Sequence, residues 1–252
     1  MKRVRSKKSA PVVSIPDIYP MRVNKYLARK GLATRNGVDE LIKAGKIMIN
    51  GKPAVLGDKI LEKDKVEVRG VHNKKHTYLA YNKPIGVVST NPQENEKDIL
   101  QTIKLNKKNG TRVFPVGRLD KESHGLIILT DDGRVTDRLL NPIYKHEKEY
   151  VVEVDRRYTP GFLRNMEEGV DIGDTMTKPT RTKRIDDTRF SIILTEGQNR
   201  QIRRMTEKLG CTVRDLQRIR VQNIELRKMP INSTREIKAE EQKEFLKSLG
   251  LE

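Results

Sequence analysis

Between residues 76 and 226 the sequence alternates short apolar runs with irregular connections and short helical patterns. The strand-like runs are Tyr78–Tyr81, Gly86–Ser89, Leu126–Thr130, Glu149–Val154 and Phe190–Thr195. Helical patterns lie between them, at Val135–Leu140, Phe162–Met166 and Arg200–Leu209. Because several strands follow one another without an intervening helix, the pattern favours an α+β fold. We therefore predict a mostly antiparallel mixed sheet flanked by helices.

A smaller basic module precedes this region, from about Met21 to Gly70. Its predicted elements are a helix at Val23–Lys30 stopped by Gly31, a second helix capped by Thr34, a strand at Ile47–Ile49, a turn at Asn50-Gly51 and a closing strand at Val66–Val68. Lysines and arginines crowd its helices, among them Arg22, Lys25 and Arg35. Such a module can bind the phosphates of RNA, although a charged face can also serve only solvation.

Three further segments complete the predicted organisation. Residues 1–20 form a basic arm without the apolar core of a secretion signal, predicted to be disordered, with a transit peptide as the alternative. Residues 71–75 are a polar linker before a domain at 76–230. Residues 231–252 are predicted as a charged tail, in which Glu240–Leu249 can form a helix.

The charge of the chain restricts its partners. The formal net charge is +18 over 252 residues, which favours a polyanion ligand such as nucleic acid, with solubility alone as the other interpretation. One cysteine excludes an internal disulfide, and four scattered histidines form no metal-ligand cluster. No apolar run reaches the length of a membrane span. We expect a cytoplasmic monomer without a bound metal.

The loop from Gly117 to Gly125 can present one carboxylate, Asp120, in front of the apolar run that begins at Leu126. Glycines at both ends allow a rigid, sharply turned loop. An aspartate in such a loop is, however, more often a turn former than a catalytic group. The pattern around Asp120 leaves both interpretations open.

A second pattern places arginines on a predicted helix, with Asn199 as its N-cap and Gly210 as its C-terminal stop. At 3.6 residues per turn, the apolar face consists of Ile202, Met205 and Leu209, and the opposite face of Arg200, Arg203 and Arg204. The three guanidinium groups can meet a phosphate backbone or a carboxylate, or can simply be solvated.

A third pattern is the strand that contains Lys148-Glu149-Tyr150. Tyr150 shares a face with Val152 and Val154, so it is either an ordinary core tyrosine or an aromatic platform for a base.

Together, and in this order, these three patterns closely resemble the RsuA/RluB/RluF group of pseudouridine synthases, and two stretches, His146–Tyr150 and Gln198–Met205, look closest to the RluF branch. Asn82-Lys83-Pro84, Gly86 and Ser89-Thr90 resemble the first strand and turn of the group's catalytic domain. The module at 21–70 looks like its RNA-binding domain of ribosomal-protein-S-four type. The resemblance implies isomerisation of a uridine in structured RNA, most often ribosomal RNA and sometimes tRNA, without a cofactor.

The resemblance also implies roles for individual residues. Asp120 matches the nucleophile, Arg203 the cation that stabilises its charge, and Tyr150 the aromatic residue that stacks on the uracil. The target nucleotide must be flipped out of its stack, and Arg118 matches residues that fill the vacated space or contact phosphate. The same cleft is expected to be lined by Asn199, Arg200 and Gln201, with Arg204 on the neighbouring phosphates and with Leu126 and Ile202 as apolar walls.

One departure from the group's pattern lies in the second helix of the small module, which usually carries paired arginines. Here the sequence is Arg35-Asn36-Gly37-Val38, which weakens the expected RNA contact there and leaves the exact RNA target open. The branch resemblance favours large-subunit ribosomal RNA. Two other hypotheses remain: a non-catalytic RNA-binding or ribosome-assembly protein, and a DNA-binding regulator, which is poorer because the module lacks a recognition-helix pattern.

Overall fold

The small N-terminal module contains two helices and two short antiparallel sheets. The computed structural model describes residues 17–70, 76–103 and 113–251. Elements of the module are β1 (Met21–Arg22), α1 (Val23–Arg29), α2 (Arg35–Lys43), β2 (Ile47–Ile49), β3 (Lys52–Pro53), β4 (Lys59–Ile60) and β5 (Val66–Val68). β1 pairs with β4, and β2 lies between β3 and β5. The predicted helices and strands of this module are all present.

Local interactions explain the elements of the module. The Thr34 hydroxyl accepts a hydrogen bond from the Gly37 amide at 3.1 Å and caps α2, which tolerates the glycine in its first turn. Asn50 and Gly51 both adopt positive φ, of 50° and 79°, as a two-residue hairpin between twisted strands requires. One apolar cluster, which includes Val38 and Ile47, holds helices and sheets together.

The larger part of the chain is a nine-stranded sheet with helices packed against it. Its elements are β6 (Tyr78–Lys83), α3 (Ile99–Thr102), β7 (Phe114–Val116), β8 (His124–Thr130), α4 (Gly133–Leu140), β9 (Lys148–Val154), α5 (Phe162–Glu168), β10 (Arg181–Arg184), β11 (Arg189–Leu194), α6 (Gln201–Lys208), β12 (Val213–Val221), β13 (Ile224–Glu225), β14 (Thr234–Glu236) and α7 (Ala239–Ser248). Its main path runs β10-β11-β9-β12-β8-β6-β14, with β13 beside β12 and β7 beside β8. Every pair except β12 with β8 is antiparallel, which confirms the predicted α+β fold.

The middle of the sheet is covered on both faces. In β8, Leu126 and Ile128 belong to one apolar cluster, whereas Ile127 and Leu129 belong to another. A strand buried on both faces is apolar at every position rather than at alternate positions. This explains the continuous apolar run that marks β8 in the sequence.

Gly86–Ser89 was wrongly predicted as a strand. The segment turns away from the sheet after β6, with Gly86 at φ 86°, and the Gly86 amide donates to the Lys121 carbonyl at 2.8 Å. Only an isolated bridge joins Val88 to Asp98. Ser89 is instead used to hold the loop that contains Asp120, so its apolar neighbours bury side chains without forming a ladder.

The C-terminal segment is part of the folded sheet, which corrects the prediction of a charged tail at 231–252. β14 pairs with β6, and α7, close to the predicted helix at Glu240–Leu249, buries Phe245, Leu246 and Leu249 in the same cluster as β8. Charged residues on the outer face of α7 concealed this apolar stripe. The expected linker at 71–75 and residues 1–16 of the expected arm lie outside the described residues.

None of the helices in the described ranges is long and apolar enough to cross a membrane. The one cysteine, Cys211, is a buried free thiol in the cluster formed by β9, β11, β12, α5 and α6.

Candidate active site

A cleft of about 700 Å³ opens over the sheet where β9, β12 and β8 lie side by side. The loop 117–123 between β7 and β8 forms one wall, and the start of α6 forms the other. The polar side chains that line it are Ser89, Thr90, Arg118, Asp120, Lys121, Ser123, Thr136, Lys148, Tyr150, Glu196, Gln198, Asn199, Arg200, Gln201 and Arg218. Most of the residues singled out from the sequence therefore meet in one place.

Asp120 lies on a loop that is fastened at both sides. The Ser89 hydroxyl accepts from the Leu119 amide at 2.9 Å and donates to the Leu119 carbonyl at 2.8 Å. On the other side, Lys83 Nζ donates to the Ser123 carbonyl at 2.7 Å. The Asp120 carboxylate itself remains 33% exposed and faces the cleft. The loop thus holds the Asp120 carboxylate in place without burying it.

Arg203 reaches this loop from α6. Its side chain is only 9% exposed, and its Nε lies 3.9 Å from Asp120 Oδ2 and 3.7 Å from Glu122 Oε2. Its Nη2 donates to the Ser123 hydroxyl at 3.2 Å. Nε has no hydrogen-bond partner among the described residues, so it stabilises the two carboxylates as a charge. Arg203 is thus the cation that lies nearest to the Asp120 carboxylate across the loop.

Arg200 neutralises the second carboxylate of the loop. Its Nη1 lies 2.9 Å from Glu122 Oε2, and this contact is the main reason that the pKa of Glu122 lies below its usual range. Because Glu122 is occupied by Arg200, Asp120 is the carboxylate of the loop that remains available to a ligand.

Tyr150 lies on β9, half-buried, and lines the cleft. It packs against the apolar cluster under α6 and lies directly opposite Arg218 on β12. Tyr150 therefore packs against the core and also lines the cleft.

The prediction that Asn199 caps the arginine-bearing helix was wrong. α6 begins one residue later, after Arg200, which adopts a left-handed conformation at φ 49°, and no side chain caps the helix. Instead, Gln201 Oε1 accepts from the Gln198 amide at 3.0 Å. Asn199 and Arg200 consequently lie on the turn that faces the cleft. The predicted stop at Gly210 is confirmed by its φ of 82° just after the helix.

The three arginines do not share one environment. Arg204 lies about 100° further round the helix than Arg203. Its guanidinium donates to the Ile172 carbonyl at 2.5 Å and to Asp174, and it does not line the cleft. Leu126, expected as an apolar wall, is fully buried in the core, whereas Ile202 does line the cleft.

Three cations in or beside the cleft, two of them buried and Lys148 half-buried, were not singled out from the sequence as site residues. Lys83 is fully buried, and burial is the main reason that its pKa falls to about 8. Lys148 on β9 also has a pKa of about 8, because of burial and then of repulsion by Arg218. Arg218 is 4% exposed at the centre of the sheet. The available signal in the sequence was the presence of lysine and arginine within strands. Lysine and arginine are far commoner on protein surfaces, so this signal does not by itself indicate a site.

A second, smaller cavity of about 350 Å³ lies on the N-terminal module. Its basic lining residues include Arg22, Lys25, Arg35 and Lys59. The residues expected to contact RNA in this module thus lie together, and apart from the cleft around Asp120.

These features define a class of protein. A basic cleft over a mixed sheet, with one arginine-paired carboxylate and a separate basic module, is the arrangement of an enzyme that acts on RNA. Residues 77–208 match the family described as RNA pseudouridylate synthase, and residues 21–66 match the S4 domain. The chain belongs to the RNA pseudouridylate synthase family.

Individual relatives agree with this assignment. The chain is 38% identical over 226 residues to the dual-specificity RNA pseudouridine synthase RluF of Escherichia coli (strain K12), a match that covers 88% of this chain and 77% of the relative. It is 34% identical over 231 residues to the ribosomal large subunit pseudouridine synthase B of Bacillus subtilis (strain 168), which covers 88% of this chain and 94% of the relative. A crystal structure of a pseudouridylate synthase shares the fold, with a TM-score of 0.66 at 24% identity over 91% of this chain and 99% of the other.

The resemblance inferred from the motifs is therefore confirmed, and the protein is an enzyme that isomerises uridine in RNA. The hypothesis of a non-catalytic RNA-binding protein and that of a DNA-binding regulator are set aside in favour of this activity.

Proposed function

We propose that the protein converts one specific uridine of large-subunit ribosomal RNA to pseudouridine, with Asp120 as the nucleophile. The observation that carries this proposal is the position of the Asp120 carboxylate, which faces the cleft while the buried Arg203 lies 3.9 Å away. The names of the relatives, one of them a ribosomal large subunit enzyme, support the choice of RNA. A second RNA substrate such as tRNA is consistent with the dual-specificity relatives.

The proposed chemistry assigns one task to each residue around the cleft. The uridine enters flipped out of its stack and lies on Tyr150, where an aromatic face can support the base. Asp120, with Arg203 as its cationic partner, attacks the sugar or the base as the glycosidic bond breaks. The uracil then rotates and rejoins the sugar through carbon. Uridine and pseudouridine are isomers, so the reaction needs no redox cofactor.

RNA contacts surround this chemistry. Arg118 is exposed at the rim of the cleft and is suited to fill the space left by the flipped base or to contact phosphate. Asn199, Arg200 and Gln201 line the opposite wall. Arg204 is assigned no substrate contact, because it is held by Asp174 outside the cleft. We further propose that the enzyme acts as a monomer in the cytoplasm.

Conversion of a ribosomal RNA transcript tests this function directly. We expect the purified protein to produce pseudouridine at one position of a large-subunit transcript, without added metal or cofactor, as detected by chemical mapping of pseudouridine. A small-subunit transcript and a tRNA pool serve as comparison substrates. Conversion of the small-subunit transcript alone would contradict the proposed target and leave the activity intact.

The small module is expected to supply salt-sensitive affinity. Each lysine or arginine that neutralises a phosphate contributes about 0.7–0.9 to the slope of log K against log salt. We expect the Arg22→Gln, Lys25→Gln, Arg35→Gln triple variant to flatten this slope by about 2 in filter binding, with little effect on the rate at saturating RNA. The matched control removes three exposed lysines elsewhere, Lys208, Lys228 and Lys247. Equal slopes for the two triple variants would exclude the module as the specific RNA contact.

A further inference from the structure

Arg218 is a buried cation with unused donors. It is 4% exposed, and within the described ranges the only hydrogen bond of its side chain runs from Nε to the Leu126 carbonyl at 2.6 Å. The side chain lines the cleft, so its terminal amino groups are left for a ligand. A guanidinium that has been removed from bulk water without a partner is costly unless something else satisfies it.

Lys148 lies beside Arg218 and is unpartnered in the same way. It is two residues from Tyr150 on β9, so both side chains lie on one face of the strand and both line the cleft. Its neighbours across the ladder are apolar, Leu194 on β11 and Val221 on β12. The Lys148 ammonium group makes no hydrogen bond with any of the residues that the structure describes.

The floor of the cleft therefore has two positive charges, and the carboxylates near it are held by other groups. Asp120 faces Arg203, and Glu122 is bound by Arg200. The buried Glu196 accepts from Gln201 Nε2 at 2.9 Å and from the Lys178 amide at 3.0 Å. Two adjacent cations repel each other in a poorly solvated site, and an anion bound there during function relieves this repulsion. Neither Lys148 nor Arg218 forms an ion pair with a carboxylate of the described residues, which points to the substrate as the source of that anion.

The position of the pair indicates which part of the substrate this is. Arg218 on β12 lies directly opposite Tyr150 on β9. Lys148 is two residues before Tyr150 on the same strand. Two further basic residues of the lining, Arg118 and Arg200, lie at the rim. They are more exposed and suit the RNA backbone. The floor is where the uracil ring lies if Tyr150 supports it.

We propose that Lys148 and Arg218 bind the carbonyl oxygens of the uracil and stabilise the negative charge that the ring acquires when the glycosidic bond breaks. This inference rests on the proposed function of Asp120 and Tyr150. It makes Lys148 and Arg218 catalytic residues that touch the substrate.

The charge arises as follows. The C1′–N1 bond breaks, and its electron pair stays with the ring, where it is shared among N1, O2 and O4. In the route through the sugar, Asp120 Oδ forms a bond to C1′. The uracil anion rotates, C5 forms the new bond to C1′, and the Asp120 oxygen leaves with its electron pair. One proton leaves C5 and one joins N1, so the product is an isomer of the substrate. Preformed cations at the oxygens lower the energy of the anionic stage.

Lys148→Met tests the proposal, because methionine keeps the volume of the lysine stem without its charge. We expect the single-turnover rate at saturating RNA to fall about 10²- to 10³-fold, the loss typical for one donor of an oxyanion site. The dissociation constant for RNA should change less than about twofold. A contact to the base that becomes strong only as the glycosidic bond breaks contributes little to binding of the unreacted RNA. Lys247→Met, which removes an exposed lysine from α7, is the charge-matched control and should retain the wild-type rate.

The pH profile separates a charge effect from a packing effect. The titratable and charged groups around Lys148 and Tyr150 include Arg218 from β12, His146 just before β9, and Asp120 and Glu196, which line the same cleft. Since the pKa of Lys148 is about 8, its charge is lost as the pH rises through 8, and kcat/KM should fall there. Lys148→Arg stays protonated, so its alkaline limb should move to higher pH. Lys83 has a similar pKa, but its loss of charge should not change the rate in the same way. Its amine makes two hydrogen bonds, and the neutral form can still donate both.

Two outcomes would overturn the proposal. If Lys148→Met binds RNA about tenfold more weakly but reacts at the wild-type rate when saturated, the pair contacts a phosphate rather than the uracil. If Lys148→Met is as active as the wild type in both respects, the pair has no role in the reaction. Arg218→Lys gives a second measurement, with an intermediate loss of rate expected and thermal unfolding recorded to verify that the sheet is intact. An inactive wild-type protein would instead count against the proposed function.

Discussion

Asp120→Asn is expected to lower the single-turnover rate of pseudouridine formation by at least about 10⁴-fold, as loss of a covalent nucleophile does in other enzymes. Asparagine has nearly the same shape as aspartate but no charge, so it cannot attack carbon. The loop should keep its position, because Ser89 and Lys83 hold it through the backbone of Leu119 and Ser123. RNA affinity measured by filter binding should therefore stay within about threefold of the wild type, a change of under 1 kcal/mol.

Glu122→Gln is the matched control for Asp120→Asn, since it removes a carboxylate from the same loop. Glu122 is an exposed partner of Arg200, and exposed ion pairs contribute only about 0–1 kcal/mol. We expect the rate of this variant to fall no more than about fivefold. The role of Asp120 would be refuted if the two variants lost activity to a similar extent, or if Asp120→Asn formed product at a rate near that of the control.

Gly125→Ala is expected to destabilise the fold by about 4 kcal/mol, in the upper range for a single substitution. Gly125 has φ +102°, and a Cβ there would lie 2.3 Å from the Arg218 carbonyl oxygen and 2.9 Å from its amide nitrogen. These atoms belong to the backbone of β12, which runs parallel to β8 at this point, so they cannot move aside as a flexible side chain can. Urea unfolding followed by circular dichroism measures the effect.

Gly173→Ala isolates the contribution of that contact. Gly173 has nearly the same φ, +101°, but a Cβ there would meet nothing within 4 Å. We expect a loss of about 1–2 kcal/mol from backbone strain alone. Equal destabilisation by the two substitutions would show that the close approach of β8 and β12 at Gly125 has no energetic consequence.

The close approach at Gly125 also concerns the site. Gly125 follows the Asp120 loop directly, and its partner in the ladder is Arg218 on the floor of the cleft. The glycine therefore lets the loop and the floor lie near each other. If the Gly125→Ala variant folds, it should consequently show a lower rate of pseudouridine formation as well as lower stability.

Strands covered on both faces or bounded by clear turns were predictable from the sequence. β8 was visible as the run Leu126–Thr130 because every side chain in it is buried, and the hairpin after Ile49 was visible because Asn-Gly suits a two-residue turn. The N-terminal helices followed from periodicity and from the Thr34 cap. Local chemistry specifies such elements, so no tertiary information was needed.

β12, the strand between β9 and β8, was missed for a physical reason. Its buried residues are Val213, Leu216, Arg218 and Val221, which do not alternate with period two. Register shifts between Val213 and Asp215 and between Arg218 and Arg220 change the phase of the strand twice. A strand with bulges and a buried arginine has the sequence pattern of a polar loop, although it lies at the centre of the sheet.

Local patterns in the sequence were sufficient to name Asp120, Tyr150 and the arginines of α6 as candidates, and the order of the motifs was sufficient to indicate the family. They left open whether Asp120 was a turn residue, Tyr150 a core residue and Arg203 a solvated one. Tertiary structure placed Asp120 and Tyr150 in the lining of one cleft and buried Arg203 beside the loop, because β7, β8, β9, β12 and α6 are distant in sequence and meet only when the sheet forms. It also separated Arg203 from Arg204 and brought Lys148 beside Arg218, since contacts between distant segments depend on packing and leave no local signal.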